Sequence, residues 1–362
     1  MSHPSPGLAA ENVEALVAAE RLPRYPRTQA PPPGETFEIA PGVRWLRMPL
    51  PFALNHINLW LIEDDAGWVI VDTGFALPAV RECWTKILAE LAATPRGGRI
   101  TRIVVTHFHP DHVGLAAWLA EQSGAPVLMT LGEYLTAHAV WQEIGGHGNE
   151  PMQRQFGQHG LSAERGAAIA AGRGGYNRGV PTLPTSYQRL FDGAVLHIGG
   201  RDWQVRVGHG HSPEHASLYC AEAGVLISGD MLLPKISTNI SVFAVTPDAD
   251  SLADYLASLD RLRELPAETL ILPSHGFPFY GLHARVEAQH AHHDERLALL
   301  ELSCSSPQCA ADLLPVLFER ELDAHQTMFA MGEAIAHLNR LEHAGRVRRL
   351  DGDDGVTRFV RV

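Results

Sequence analysis

Four residues that can bind metal ions fall within six consecutive positions, in the run Thr106-His107-Phe108-His109-Pro110-Asp111-His112. Neutral imidazole and carboxylate oxygen are the ligands that Zn²⁺, Fe and Mn accept. The run follows Ile103-Val104-Val105-Thr106, a short β-branched segment that reads as a strand over 103–106. Side chains on a strand alternate with period two, so His107 and His109 leave the strand end on one side. Pro110 then turns the chain and delivers Asp111 and His112. So many donors crowd one tetrahedral ion but divide well between two neighbouring ions. A lone histidine in an apolar setting is ordinarily a core residue; this spacing reverses that expectation.

The elements that must position these residues are legible on both sides of the run. A Pro-rich arm over 1–36, with a short helical pattern near 12–21, gives way at Phe37 to β-patterned segments. Asp64-Asp65-Ala66-Gly67 splits two apolar runs and marks a hairpin. Residues 78–93 have helical spacing, with Pro78 suited to the first turn and Val80, Trp84, Ile87, Leu88 and Leu91 on one face. A helix is expected over 113–122 and buried strands over 126–129, 194–198, 203–207, 217–220, 225–228 and 270–272, with an amphipathic helix over 252–263 between the last two. Strand and helix thus alternate twice, the outline of an α/β sandwich with two sheets inside and helices outside. Residues 131–190 interrupt it with helical stretches and aperiodic chain, an insertion or a lid over the site. From 282 onward, helical patterns at 284–302, 309–317 and 326–344 precede a terminal hairpin, the outline of a winged-helix unit.

Composition narrows the class. A chain of 362 residues has room for one large domain and a smaller one. No apolar run is long enough to span a bilayer, and the N-terminus lacks a basic segment followed by an apolar one, so a cytoplasmic protein without a membrane partner is expected. Cys83, Cys220, Cys304 and Cys309 form no CxxC pair and read as buried core thiols. The formal charge of −12 disfavours generic nucleic-acid binding.

The run HxHxDH after a β-strand resembles the signature of the metallo-β-lactamase superfamily. Later landmarks match that family in order: Gly210-His211-Ser212-Pro213, then Ser228-Gly229-Asp230 after Val225-Leu226-Ile227, then Ser274-His275-Gly276. Asp72 in Val71-Asp72-Thr73-Gly74 matches an aspartate that the family keeps beneath its ligands. The resemblance covers about 37–281 and implies a metallo-β-lactamase αββα sandwich. It assigns His107, His109 and His211 to a first metal, Asp111, His112 and His275 to a second, and Asp230 as the bridge. Two divalent ions, zinc first with iron or manganese as alternatives, would share a hydroxide that attacks an electrophilic centre. Asp111 would orient that hydroxide or accept its proton. Asp230, where one class of β-lactamases has Cys, and His109, where flavodiiron proteins have Glu, argue against those relatives.

Other residues keep two readings open. His215 either supports the ligands and substrate or makes a local loop hydrogen bond beside His209, and Glu214 replaces the small residue of many relatives. His56 and Asn58 either line the pocket or serve the strand. His290, His292 and His293 read as packing or surface. Arg346, Arg348, Arg349, Arg358 and Arg361 suggest a basic wing, but Asp351, Asp353 and Asp354 between them favour a solvated face. The resemblance reaches glyoxalase II, thioesterases and, through the tail at 282–362, a branch that includes an endoribonuclease. Hydrolysis of a thioester, ester or lactone carbonyl on a small acyl substrate is the first expectation. Cleavage of single-stranded RNA is the alternative, weakened by a content of only two lysines, Lys86 and Lys235. Oligomeric state is left open.

Overall fold

A computed structural model of the chain describes residues 23–362 apart from Ala53, Arg173 and Gly174. The helical pattern near 12–21 lies outside the described residues. The described part of the arm lies along the body, where Arg24 and Tyr280 exchange main-chain hydrogen bonds of 3.1 and 2.8 Å.

Strands β1 (Thr36–Ala40), β2 (Val43–Pro49), β3 (His56–Asp64) and β4 (Gly67–Val71) form an antiparallel meander, with Asp64 facing Gly67 across the expected hairpin. Helix α1 (Pro78–Ala92) buries Val80, Trp84, Ile87 and Leu91 and carries the chain to β5 (Ile100–Val104), parallel to β4. The strand therefore ends two residues earlier than its β-branched run. The Thr106 N–H turns away from the sheet to the Asp72 carboxylate at 2.8 Å, so His107 and His109 stand on a loop. The helix expected over 113–122 is split into α2 (Pro110–Val113) and α3 (Ala116–Ser123). Its break is at Leu115, whose N–H bonds Thr73 Oγ1 at 3.1 Å.

Strand β6 (Val127–Met129) is followed by α4 (Leu131–Trp141), α5 (Asn149–Gln158) and α6 (Ala163–Gly172), and then β7 (Gln188–Arg189) completes a seven-stranded sheet. The second sheet holds β8 (Val195–Ile198), β9 (Arg201–Gly208), β10 (His215–Cys220) and β11 (Val225–Gly229) in antiparallel order. Helix α7 (Ser251–Leu262) leads to β12 (Leu270–Pro273), parallel to β11. Trp45, Trp60 and Trp203 fill the layer between the sheets. The ends of β4, β5, β9, β11 and β12 meet at one edge of this sandwich, and the chemistry-bearing residues sit there.

The C-terminal stretch follows as α8 (Leu282–Ser303), α9 (Leu314–Leu317), α10 (Ala324–His343) and a hairpin of β13 (Val347–Asp351) and β14 (Thr357–Arg361). The helix expected over 309–317 shrinks to one turn because Pro315 is tolerated only in a first turn. A capping box of Asp323 and Gln326 starts α10. Phe156, Leu161 and Ile169 from the 131–190 stretch share one apolar core with Tyr255 of α7 and with Leu297, Met331, Ile335 and Phe359. The inserted helices α5 and α6 are therefore built into the body rather than standing clear of it. The four cysteines are buried free thiols, as expected. Among the described residues no helix is long and apolar enough to cross a membrane.

Within that core His293 and His337 are both buried, and their Nδ1 and Nε2 atoms stand 3.1 Å apart. His337 Nδ1 donates to Glu333 O at 2.8 Å, so its Nε2 accepts from His293 and both rings are neutral. Burial, reinforced by the His337 ring, His292 and Arg296, lowers His293 to about 2, and burial with Arg296 and His292, against the bond to Glu333 O, lowers His337 to about 4. The unfolded chain binds these protons near pH 6.5 and the folded chain does not, so their stability contribution is complete above that pH and is lost as pH falls toward 4. A His337→Gln variant is expected to have a lower Tm at pH 8 and a flatter fall in Tm between pH 6.5 and 4. Parallel Tm–pH curves for the two proteins would show that the pair does not carry the effect.

Candidate metal centre

The structure brings His107, His109, His211 and Asp230 into one group and Asp111, His112 and His275 into a second, each compact enough to hold an ion. In the first group His107 Nε2 lies 2.9 Å from His109 Nδ1 and 3.2 Å from His211 Nε2. In the second, His275 Nε2 and His112 Nε2 lie 3.6 and 3.8 Å from Asp111 Oδ2. Donors around a tetrahedral Zn²⁺ stand roughly 3.3 Å apart, a spacing that these separations approach to within about 0.5 Å, the 2.9 Å between His107 and His109 being the shortest. Asp230 faces both groups. Its Oδ2 is 3.5 Å from His211 Nε2 and its Oδ1 is 3.6 and 3.5 Å from His112 and His275 Nε2.

Hydrogen bonds on the outer nitrogens aim the inner ones. His112 Nδ1 donates to Asp72 Oδ2 at 2.7 Å, His211 Nδ1 to Asn239 O at 2.8 Å and His275 Nδ1 to His56 O at 2.9 Å. Each bond selects the tautomer whose Nε2 lone pair points inward. His112 Nε2 and Asp230 Oδ1 are then buried without a hydrogen-bond partner among the described residues. Buried polar atoms left unpaired are costly, and a cation held between the two groups satisfies both.

The charge pattern agrees. Burial and the adjoining rings of His112 and His109 hold His107 well below the usual histidine range, and burial with His211 does the same for His109. Burial opposes a charge on His112, but Asp72, Asp111 and Asp230 outweigh it and raise its pKa well above the usual value. His275 is raised by Asp230 and Asp111 against the same opposition. Asp230, although buried, is held well below the usual carboxylate range by His275 and His112. The first group thus offers neutral imidazoles, while the second exchanges protons for an ion.

Asp72 lies beneath the ligands, as its motif suggested. Besides His112 it accepts the Thr106 N–H and the Thr106 hydroxyl, both at 2.8 Å. His215 is fully buried; its Nε2 accepts the Asp230 N–H at 3.1 Å and its ring lies 4.9 Å from that of His107. It therefore supports two ligands, beyond the local loop bond that His209 makes with Pro213 O at 2.6 Å. Gly229, at φ +54°, makes room for it, because a Cβ there would stand 2.3 Å from His215 Nε2. Asn58 does not line a pocket: it is fully buried and bonds Pro273 O and Gly276 O at 2.9 and 3.0 Å, tying β3 to the His275 turn. His56 Nε2 accepts the Gly276 N–H at 3.0 Å and supports the same turn.

Glu133 had no sequence signal beyond its place in the first turn of α4, directly after a buried strand. It is fully buried; Oε2 accepts the Phe108 N–H at 2.9 Å, and Oε1 accepts the Ser212 hydroxyl and the Glu214 N–H at 2.7 Å each. Burial, against those three bonds, raises its pKa to about 7. Glu214 accepts the Gly132 N–H at 2.8 Å and so caps the N-terminus of α4. The irregular chain after Asp230 is a second unread support. Thr238 donates to Asp230 O at 2.6 Å, Asn239 O orients His211, and Asn239 Nδ2 donates to Ser241 Oγ at 3.1 Å. Helix α10 grips this chain: Gly332 packs on Ser241, and Asn339 Nδ2 donates to Pro247 O and Ala249 O at 2.9 and 3.1 Å.

Glu133→Gln puts an amide donor against backbone and hydroxyl donors and is expected to lower stability by about 1–3 kcal/mol, with reduced metal content by elemental analysis. A Cβ on residue 332 would stand 2.3 Å from Ser241 Oγ. Gly332→Ala is therefore expected to weaken Co²⁺ affinity about tenfold, roughly 1.4 kcal/mol, with unchanged far-UV circular dichroism and recovery on adding Ser241→Gly. Equal Co²⁺ titrations of the wild type and Gly332→Ala would disconnect α10 from the centre.

Comparison with known proteins agrees with this architecture. Residues 54–275 match the family model described as Metallo-beta-lactamase superfamily, and residues 297–362 match one described as Metallo-beta-lactamase-like, C-terminal domain. The crystal structure of a beta-lactamase domain protein from Burkholderia ambifaria aligns with a TM-score of 0.88 at 46% identity, covering 95% of this chain and 100% of that one. A probable metallo-hydrolase of Bacillus subtilis (strain 168) is 28% identical over 312 residues, covering 82% of this chain and 91% of that protein. A hydroxyacylglutathione hydrolase of Idiomarina loihiensis is 27% identical across 62% of this chain and 63% of its own length. The family match takes in all seven of the residues grouped above, and the chain belongs to the metallo-β-lactamase superfamily as one of its metal-dependent hydrolases.

Proposed function

We propose that the chain hydrolyses a thioester, ester or lactone carbonyl on a small acyl substrate, with zinc as its resident metal. The observation that carries this reading is Asp230, whose two oxygens each face a separate set of imidazoles. His107, His109 and His211 would hold one ion, Asp111, His112 and His275 the other, and Asp230 both. When bound, such ions supply Lewis acidity and lower the pKa of water. Asp111, the more accessible of the two clustered carboxylates, takes the proton of the attacking water and returns it to the leaving thiolate or alkoxide. Water adds its oxygen to the carbonyl carbon, the C–S or C–O bond breaks, and an acid and a thiol or alcohol leave.

Kinship with a protein named hydroxyacylglutathione hydrolase points the same way, at 27% identity. The RNA alternative has less support, because the arginines of the C-terminal hairpin are largely engaged. Arg361 and Arg346 both bond Glu301, at 3.2 and 2.8 Å. Arg349 is 2.7 Å from Asp248 and 2.8 Å from Glu342, and Arg358 is 2.7 Å from Asp354. Paired guanidinium groups make a poor track for phosphates.

Elemental analysis of the purified protein is expected to find about two zinc ions per chain, with acyl-thioester turnover lost on chelation and restored by zinc. Asp230→Ala is expected to lose at least one of the two ions and to reduce kcat at least a hundredfold. Full metal content and full activity in that variant would refute the two-ion reading. A single iron, or cleavage of labelled single-stranded RNA in place of thioesters, would overturn the proposed substrate.

A further inference from the structure

Phe108 sits between two of the clustered histidines, and a circuit of aromatic contacts, joined in two places through Gly179 and Gly332, begins and ends on it. Its ring is 6.4 Å from that of Tyr176, whose hydroxyl donates to Phe108 O. The turn after Tyr176 lies on Phe75: a Cβ at Gly179 would stand 2.4 Å from that ring. Phe75 meets Phe52 edge to face at 5.5 Å, and Phe52 stacks on His325 of α10 at 5.4 Å and 6°. His325 meets Phe329 at 4.9 Å. One turn further along α10, Gly332 rests on Ser241, and two residues on from Ser241, Phe243 returns to Phe108 at 6.1 Å. The circuit draws on both the sandwich and the C-terminal helix.

Three of its rings are left exposed, Phe52 at 42%, Phe329 at 37% and His325 between them. What sets these rings apart from other exposed apolar residues is that they are in contact with one another and continue inward to the clustered histidines through Phe75 and Phe108. Ligand sites are lined mainly by such apolar and aromatic groups. We infer that this circuit is the subsite for the substrate's acyl group, and that it selects an aliphatic chain of several carbons; the inference rests on the acyl-hydrolase reading above. None of the circuit residues is a lysine or arginine, so it offers no charge to a phosphate backbone. The faces of Phe52 and His325 are turned to each other, so neither offers that face to a base. Phe52 comes from the loop between β2 and β3 and Phe329 from α10, so the C-terminal stretch contributes to specificity.

The test uses the zinc-loaded full chain and N-acetylcysteamine thioesters from acetyl to octanoyl, which are uncharged. For the wild type, kcat/KM is expected to rise roughly two- to fourfold per added methylene while the chain fits the rings. Phe329→Ala and Phe52→Ala are expected to lower the octanoyl-to-acetyl ratio at least tenfold, with Phe329→Leu retaining most of it. Leu302→Ala, on the exposed surface of α8, is the control and should keep the wild-type ratio. A wild-type ratio in both phenylalanine variants would overturn the subsite while leaving the acyl-hydrolase reading intact. Failure of the wild type to hydrolyse any member of the series would overturn both. Single-stranded RNA cleavage weakened by Phe329→Ala would reassign the rings to bases.

Discussion

The centre depends on a carboxylate placed beneath it. Asp72 ends β4 with φ at +61°, a left-handed conformation that costs a residue with a side chain roughly 1–2 kcal/mol. That bend turns the carboxylate under the 106–112 loop instead of continuing the strand. In return Asp72 receives the Thr106 N–H, the Thr106 hydroxyl and the His112 ring. Hydrogen bonds to a charged group contribute about 1.5–3 kcal/mol each, so three of them outweigh the strain. The loop shape, the His112 tautomer and the end of β5 all follow from this one arrangement.

Glu133 repeats the device on the opposite side. Asp72 ties the loop to the first sheet, and Glu133 ties Phe108 of the same loop to Ser212 and Glu214 beside His211. Asn58 joins the two sheets once more through the turn that carries His275. The cage thus has acceptor oxygens outside and lone pairs inside, with the hydrogen bonds spent on its outer wall. A set of imidazoles crowded this closely would otherwise be driven apart as soon as more than one was protonated.

How much of this was legible follows from what each residue contributes. His107, His109, Asp111 and His112 act through side-chain chemistry directly after a strand, and residue type with spacing marks them. His211, Asp230 and His275 lie far along the chain and were reached through the family resemblance, and the structure gathers all seven. Most strand and helix segments were legible as well, since the burial pattern is written in the side chains, whereas the order of strands within each sheet was not. Three further kinds of feature were not. Asn239 and His56 orient their ligands through main-chain oxygens, which any residue type could supply. Glu133 acts from far along the chain, and nothing in its neighbours marks it as buried. Strand and helix ends moved where a side chain outcompeted the ladder, as Asp72 does at Thr106 and Thr73 at Leu115. The aromatic circuit was unreadable in principle, because Phe52 and His325 meet only through the tertiary fold.

Helix α10 shows why the C-terminal stretch and the sandwich act together. Gly332 and Asn339, buried against the chain from Ser241 to Ala249, steady the segment that orients His211 and anchors Asp230. His325 and Phe329, one turn apart and exposed, belong to the ring circuit. A helix presents residues spaced by three and four on one face, so 325, 329, 332 and 339 lie along one stripe of α10, the exposed pair nearer its N-terminus. Loosening α10 from the chain beneath it would disturb metal binding and substrate choice together, which accounts for burying this helix in the core rather than tethering it on a linker.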